Sequence, residues 1–262
     1  MRTAILALCL AASAATAQQG VTATISPRPV ALTVPVSNRF CNQTGGEIRL
    51  TSSAPWAIKT LQGGPVFSPI GLPVIQPVPD LQCRTFTWNQ RDDNGQPVPP
   101  ALYLWEVYWQ DMNGRNQTTG TCFEVTTASV ILCSSPATWP VGCPIRMTFS
   151  SPGEPGFAYY GASSLGSSPG IALTNCRTIP LNVDPLLLLS LCGPPPVFNN
   201  YCGVLSAQGT APVDLIPPGT PALAGVDVFT SFVTVTPANQ LSSIAMATRT
   251  PLDVPGSPCP CP

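Results

Sequence analysis

The chain has no histidine, one lysine and very little charge of either sign. Without histidine, the Ser-His-Asp and Cys-His arrangements of nucleophilic catalysis are excluded, as are the common zinc hydrolase sites. Eleven basic residues stand against 12 acidic ones, and all but Lys59 of the basic residues are arginine. No basic stripe is present to follow a phosphate backbone, so nucleic acid is not an expected partner. A basic patch for anionic lipid is missing too. Long apolar runs are also scarce. The Leu186–Leu189 run in DPLLLLSLCG is far short of the roughly 20 residues that cross a bilayer and reads as a buried strand. No transmembrane segment is expected.

What is abundant is proline, at 33 residues, and glycine, at 21. An internal proline costs a helix about 3 kcal/mol, so long helices are excluded. A hydrophobic fraction of 44% nevertheless supplies a core, which argues against disorder. The apolar residues alternate in short runs: Leu32, Val34, Val36; Ile48, Leu50; Phe86, Trp88; Tyr103, Trp105, Val107, Trp109; Ile145, Met147, Phe149. A period of two between turn residues marks half-buried strands. Asn113-Gly114 reads as a tight hairpin with positive φ angles, joining the strand ending at Gln110 to one over 121–130. Further strands are expected near 178–183, 201–206, 211–216, 226–235 and 242–249. The fold class is all-β, with two disulfide-linked β-sandwich domains in tandem.

The first residues, MRTAILALCLAASAATAQQG, have the positive residue, apolar run and small-residue site of a secretory signal, with cleavage between Ala17 and Gln18. Leu8 is too bulky for Cys9 to be a lipidation site. Cleavage removes Cys9 and leaves an even number of cysteines, the arithmetic of a disulfide set in an exported chain. Cys41, Cys83, Cys122, Cys133, Cys143, Cys176, Cys192 and Cys202 are the candidates, with Cys259 and Cys261 in an extended tail. Their connectivity is open. One hypothesis pairs Cys41 with Cys83, closing a loop worth about 4 kcal/mol by chain entropy. No CxxC pairs occur, so no metal is expected. The pattern breaks at SSPATWPVG, which divides the chain into a signal peptide (1–17), a first domain (18–133), a linker (134–142), a second domain (143–252) and a Pro/Cys tail (253–262).

The stretch WNQRDDNGQPVPPALY (88–103) carries the densest charge. A calcium loop with Gly95 at its sixth position would begin at Gln90 and end at Ala101, so both end ligands are missing. Asp92 and Asp93, as neighbours, point apart and make a poor acid–base pair. The expectation is that Asp92 or Asn94 caps its own turn while Gly95 takes the left-handed angle. GASSLGSSPG lacks the second glycine of a nucleophile elbow, and Lys59 has no SxxK motif. No catalytic residue and no cofactor are expected. The tryptophans read mainly as core, with a sugar-binding face as the alternative.

The segments LTVPVSN (32–38), EIRLTSSAPWAIKT, GGPVFSP and CRTFTWNQRDDNGQPVPPALY resemble the bacterial BsuPI-type proteinase-inhibitor domain, an immunoglobulin-like sandwich. The last segment is also similar to Ig-like modules that cap flagellar hooks. Those carry W-x-x-x-D-x-x-G-x-x-V-P-x-G-x-Y, matched here by Trp88, Asp92, Gly95, Val98, Pro99 and Tyr103, with Ala101 in place of a glycine. GTAPVDLIPPGTPALAGVDVFTSFVTV resembles a β-module of secreted Planctomycete-type proteins. The first resemblance implies a protease inhibitor, with the proline-rich 62–80 segment as its docking loop. The residues taken together read as a secreted or cell-envelope protein with a binding or structural role and no catalysis, whose partner, protein or glycan, they do not name. Oligomeric state is not legible.

Overall fold

The computed structural model describes residues 20–26, 28–134, 138–173, 176–193, 196–254 and 259–260. The signal sequence with Cys9, Ala17 and Gln18 lies outside them, as do Cys261 and residues 255–258 of the tail. The fold is all-β and divides into two compact units, Met1–Val125 with Leu173–Arg177, and Thr126–Ala172 with Thr178–Pro262.

In the first unit, Val21–Ser26, Val36–Asn42 and Cys83–Trp88 form one antiparallel sheet. A second sheet runs in the order Val30–Ala31, Asn116–Thr126, Ala101–Gln110, Ile48–Leu50, Gln76–Val78. Trp56–Thr60 also pairs with Ala101–Gln110 and carries Pro65–Phe67 on its other side. Alternation places Tyr103, Trp105, Val107 and Trp109 on the inner face. They meet Val21, Val36, Phe40 and Trp88 of the opposite sheet in one hydrophobic core. Two sheets sharing one inner layer make a β-sandwich. Val34 departs from the expected alternation and is exposed. The chain turns at Thr33, whose φ of 73° is incompatible with a continuing strand.

The second unit is built the same way. Ser129–Leu132, Ile145–Ser150, Thr210–Leu215 and Phe198–Asn199 form one sheet. Trp139–Pro140, Thr248–Asp253, Asp227–Val235, Ala158–Ser164 and Cys202–Val204 form the other, with Leu241–Ile244 also on Asp227–Val235. Phe149 and Phe232 stack at 4.6 Å across the core. Ser129–Leu132 pairs with Ile145–Ser150, Val130 opposite Phe149. The division between units therefore falls at 125/126, ahead of the 134–142 linker read from the sequence. Leu186–Leu189 is not a strand. It lies in the short helix Pro185–Ser190, which has proline in its first turn and Asp184 as its cap, the Leu187 amide donating to Asp184 Oδ1 at 2.9 Å. Leu188 and Leu189 are exposed on it, because a cap followed by proline starts a helix whatever apolar residues come next.

Every described cysteine is in a disulfide. Cys41–Cys83 joins residues directly opposite in adjacent strands. Cys122–Cys176 fastens the Leu173–Arg177 segment to the first unit, beside an ion pair of 3.2 Å between Arg177 and Glu124. Cys192–Cys202 closes a short loop, and Cys143–Cys259 ties the tail to a residue 116 positions earlier. By chain entropy these closures contribute about 3 to 5 kcal/mol each, the longest contributing most.

One turn design recurs across both units. At Asp92, Asp111, Ser206, Thr60 and Thr236 the backbone amide of the first residue donates to the carbonyl four residues on, while its carbonyl accepts from the amide three residues on. The third residue after it is left-handed in each case: Gly95, Gly114, Gly209, Gly63 or Asn239. In each, the side-chain oxygen of the first residue accepts the amide four residues on, at 2.8–3.2 Å. This is the hairpin loop of a type I turn closed by a left-handed bulge residue. It differs from the tight turn expected at Asn113-Gly114, where only Gly114 has positive φ. Because serine and threonine fill the same place as aspartate, the requirement is an oxygen acceptor rather than a charge. Asp92→Ala should therefore lower stability by about 1 kcal/mol, the usual value of such a bond, whereas Asp92→Ser should restore most of it. Urea denaturation of both variants measures this.

Candidate functional site

The charged stretch is built around its turn. Asp92 Oδ1 accepts from the amides of Asn94 and Gln96 at 2.9 and 2.8 Å. Asp93 points elsewhere, its Oδ1 accepting the Ser68 amide at 2.8 Å. Gln90, buried, clasps a separate turn: its side chain donates to the carbonyls of Ala31 and Val34 and accepts the Thr33 amide. The remaining motif residues bear on the core. Trp88 Nε1 donates to the Arg91 carbonyl at 2.8 Å, and the Tyr103 hydroxyl donates to the Pro99 carbonyl at 2.7 Å. Trp88, Tyr103 and Phe123 contact one another at 5.8–6.1 Å between ring centroids. Among the described residues no group of three or more His, Cys, Asp or Glu side chains is placed to hold a metal ion.

Asp93 leads to an exposed apolar surface of the first unit. Between Pro65–Phe67 and Gln76–Val78 the chain forms a loop, Ser68 to Ile75, with no charged residue from Thr60 through Pro79. Ile70 is fully exposed, and Leu72, Val74 and Ile75 are 68, 49 and 59% exposed. The backbone beneath them is held on two sides. On one, Ser68 donates to Asp93 and the Asp93 amide donates to the Val66 carbonyl at 3.1 Å. On the other, the Ser53 amide donates to the Leu72 carbonyl at 3.0 Å and the Leu72 amide to Ser53 Oγ at 2.8 Å. A Cβ at Gly71 would lie 2.9 Å from Ser52 Oγ and 3.0 Å from the Ala54 nitrogen, so glycine is what lets the loop lie against residues 52–54. Pro69 and Pro73 restrict it further.

The other sequence candidates are accounted for by packing. Ser163 of GASSLGSSPG is fully buried. Its hydroxyl lies 3.0 Å from the Tyr201 hydroxyl and 2.8 Å from that of Thr230, and its amide donates to Ser190 Oγ at 2.7 Å. Burial pushes the Tyr201 hydroxyl up to about 12, so this network offers serine no base near neutral pH. Gly161 is required because a Cβ there would lie 2.4 Å from the Phe149 ring. Lys59 pairs with Glu106 at 2.7 Å, which also accepts from the Tyr108 hydroxyl at 3.0 Å; hydrogen bonding to Glu106 raises the lysine pKa. The tryptophan-lined sugar face does not form: Trp56, Trp88, Trp105, Trp109 and Trp139 are all buried. Each stands at an inward position of its strand or its sheet, where its large apolar area is removed from water.

A group that sequence reading passed over is Glu154, in the turn after Ser150. Its carboxylate is buried and accepts four hydroxyls: Ser151 at 2.7 Å and Thr234 at 2.6 Å on Oε2, Ser243 at 2.8 Å and Ser242 on Oε1. Turn context signals an exposed glutamate, and only the tertiary return of Thr234, Ser242 and Ser243 reveals otherwise.

No family model matches the chain, and no curated protein does. Solved structures similar to it include red sea bream transglutaminase, at 10% identity and TM-score 0.31, covering 89% of this chain and 31% of that one. A tetra-tandem repeat from the extending region of a large adhesion protein aligns at 9% identity and TM-score 0.24, over 88% of this chain and 49% of that one. The periplasmic chaperone SfaE aligns at 10% identity and TM-score 0.31, over 89% of this chain and all of that one. The chain thus spans about a third of the transglutaminase and half of the adhesion fragment. Among the described residues no helix is long and apolar enough to cross a membrane.

Burial acts to raise the Glu154 pKa, but the hydroxyls of Ser242, Thr234, Ser151 and Ser243 outweigh it, and the net shift is downward. A carboxyl with a depressed folded-state pKa stabilises the fold above its unfolded pKa and loses that contribution as pH falls through the folded one. Stability should therefore fall as the solution is acidified below the ordinary glutamate range. Glu154→Gln should be less stable at neutral pH and show a flatter acid limb. Denaturation midpoints of the two proteins across acidic pH test this; parallel profiles would contradict it.

Proposed function

We propose that the mature chain is a non-catalytic binding protein of the cell envelope or the extracellular space, and that it engages a protein partner through the Ser68–Ile75 loop. The observation that carries this reading is the display of Ile70, Leu72, Val74 and Ile75 on a backbone pinned by Ser53 and Asp93. Large apolar side chains grouped in water mark interaction surfaces. A loop already held in one conformation loses less entropy on docking. The pairing of every described cysteine supports an oxidising compartment.

Inhibition of an extracellular protease is the specific form of this reading that the BsuPI-type resemblance favours. An uncharged loop with apolar side chains suits an enzyme whose specificity pocket is apolar. Purified, oxidised mature protein assayed against serine and metalloproteases should inhibit at least one stoichiometrically. Leu72→Asp and Ile70→Asp should each weaken that inhibition by about tenfold or more, the cost of placing a charge where an apolar anchor docks, with unchanged thermal stability. Inhibition that survives both substitutions would remove the loop from the reading. Absence of inhibition across the panel, with the protein itself uncleaved, would remove the inhibitor form and favour an envelope or adhesion role.

A further inference from the structure

A second surface of the first unit, independent of the loop, has a different chemistry. On the outer face of the larger sheet, Tyr108 stands opposite Thr118 and Gln110 opposite Asn116. With Thr51, Gln117 and the largely buried Trp109 they line an open groove of about 450 Å³, within the range that holds a small organic ligand. Its lining residues carry amides, hydroxyls and two aromatic rings, of which Tyr108 is the more exposed, and none is charged. Gln110 Nε2 donates to Asn116 Oδ1 at 3.1 Å, which orients both amides and leaves each with further donor and acceptor positions. The Tyr108 ring is held as well. Its hydroxyl donates to Glu106, and Lys59 Nζ sits 5.9 Å from the ring centroid.

The charges around the groove are matched. Lys59 is paired with Glu106 at 2.7 Å and Arg49 with Glu47 at 3.8 Å. In the turn beyond the groove the Arg115 backbone amide donates to Asp111 Oδ1 at 2.9 Å. Among the residues that line the groove there is no cation for a phosphate or an acidic polymer to meet. A purely apolar ligand would leave the amides without partners, which is costly. The ligand class that satisfies an aromatic face flanked by amides and hydroxyls at neutral charge is a sugar ring, apolar on its C–H face and hydrogen-bonding at its edge. We propose that this groove binds a neutral saccharide, with Tyr108 as the stacking platform and Gln110, Asn116 and Thr118 as hydrogen-bonding groups.

The test is titration of the oxidised full-length mature protein with neutral oligosaccharides (gluco-, xylo- and chito-oligomers), followed by calorimetry and by side-chain amide resonances of Gln110 and Asn116. A heparin-derived oligosaccharide and a proline-rich peptide serve as counter-probes. At least one neutral oligosaccharide should shift those resonances. Tyr108→Ala should weaken it about tenfold, the scale of one aromatic contact, while Tyr108→Phe, which keeps the ring, should retain most binding. Asn116→Ala, at an exposed strand end, should also weaken binding, and this variant carries the test if Tyr108→Ala fails to fold. The proposal is overturned if no neutral oligosaccharide perturbs the groove, if only a counter-probe does, or if Tyr108→Ala and Asn116→Ala both bind as the parent does.

Discussion

The hydrogen bond from a backbone amide to a nearby side-chain oxygen is the interaction on which the rest of the structure depends. A chain with 33 prolines must change direction often, and each reversal leaves backbone amides outside the strand ladders. A hydrogen bond to such a group contributes about 1 kcal/mol, and more where the amide would otherwise be buried and unpaired. Asp92, Asp111, Ser206, Thr60 and Thr236 each supply one oxygen inside their own turn. Gln90, Asn42 and Asp184 do the same for segments that are not hairpins. This explains how so weakly charged a protein can hold its loops in place: several of its carboxylates, hydroxyls and amides bind backbone directly.

The two cores then act on turns already set. In the first unit, Trp88, Tyr103, Trp105 and Phe123 form one aromatic layer. In the second, Phe149 contacts Tyr159, Tyr201 and Phe232. Two of the disulfides add constraint where the ladders are thin. Cys192–Cys202 follows a helix of only six residues, and Cys143–Cys259 secures a segment outside any strand. Glu154 has the same role by non-covalent means, its carboxylate collecting hydroxyls from three separate stretches of chain.

Much of this was legible in the amino-acid order, because strand alternation and turn chemistry are local properties. The inward faces of Ala101–Gln110 and Ile145–Ser150 follow directly from alternation, as does the turn at Asp92 from its neighbours. Where local signals competed, the reading failed. DPLLLL is apolar enough for a buried strand, yet an aspartate cap and a following proline direct it into a helix. Val34 keeps the strand period and still lies outside, since Gln90, 56 positions away, holds the chain in a turn there. Long-range partners have no local signature. Nothing near Asp93 announces Ser68, nothing near Glu154 announces Thr234, and the Tyr108 groove exists only because the register brings Thr118 and Asn116 alongside. The tryptophans were ambiguous for a related reason: an aromatic residue on a strand suits a core and a sugar platform equally until the other sheet is in place.

This charge-poor β-protein carries two contrasting surfaces, apolar in the Ser68–Ile75 loop and polar in the Tyr108 groove. The central claim is that the loop is a fixed feature, presented by Asp93 and Ser53, and not a slack connection. The most direct measurement is amide hydrogen exchange at Ser68 and Leu72, in the parent protein and in Asp93→Ala. The account predicts protection of both amides in the parent, with Ser68 losing protection in the variant while the strand amides of Ala101–Gln110 keep theirs. Rapid exchange at Ser68 and Leu72 in the parent would contradict it.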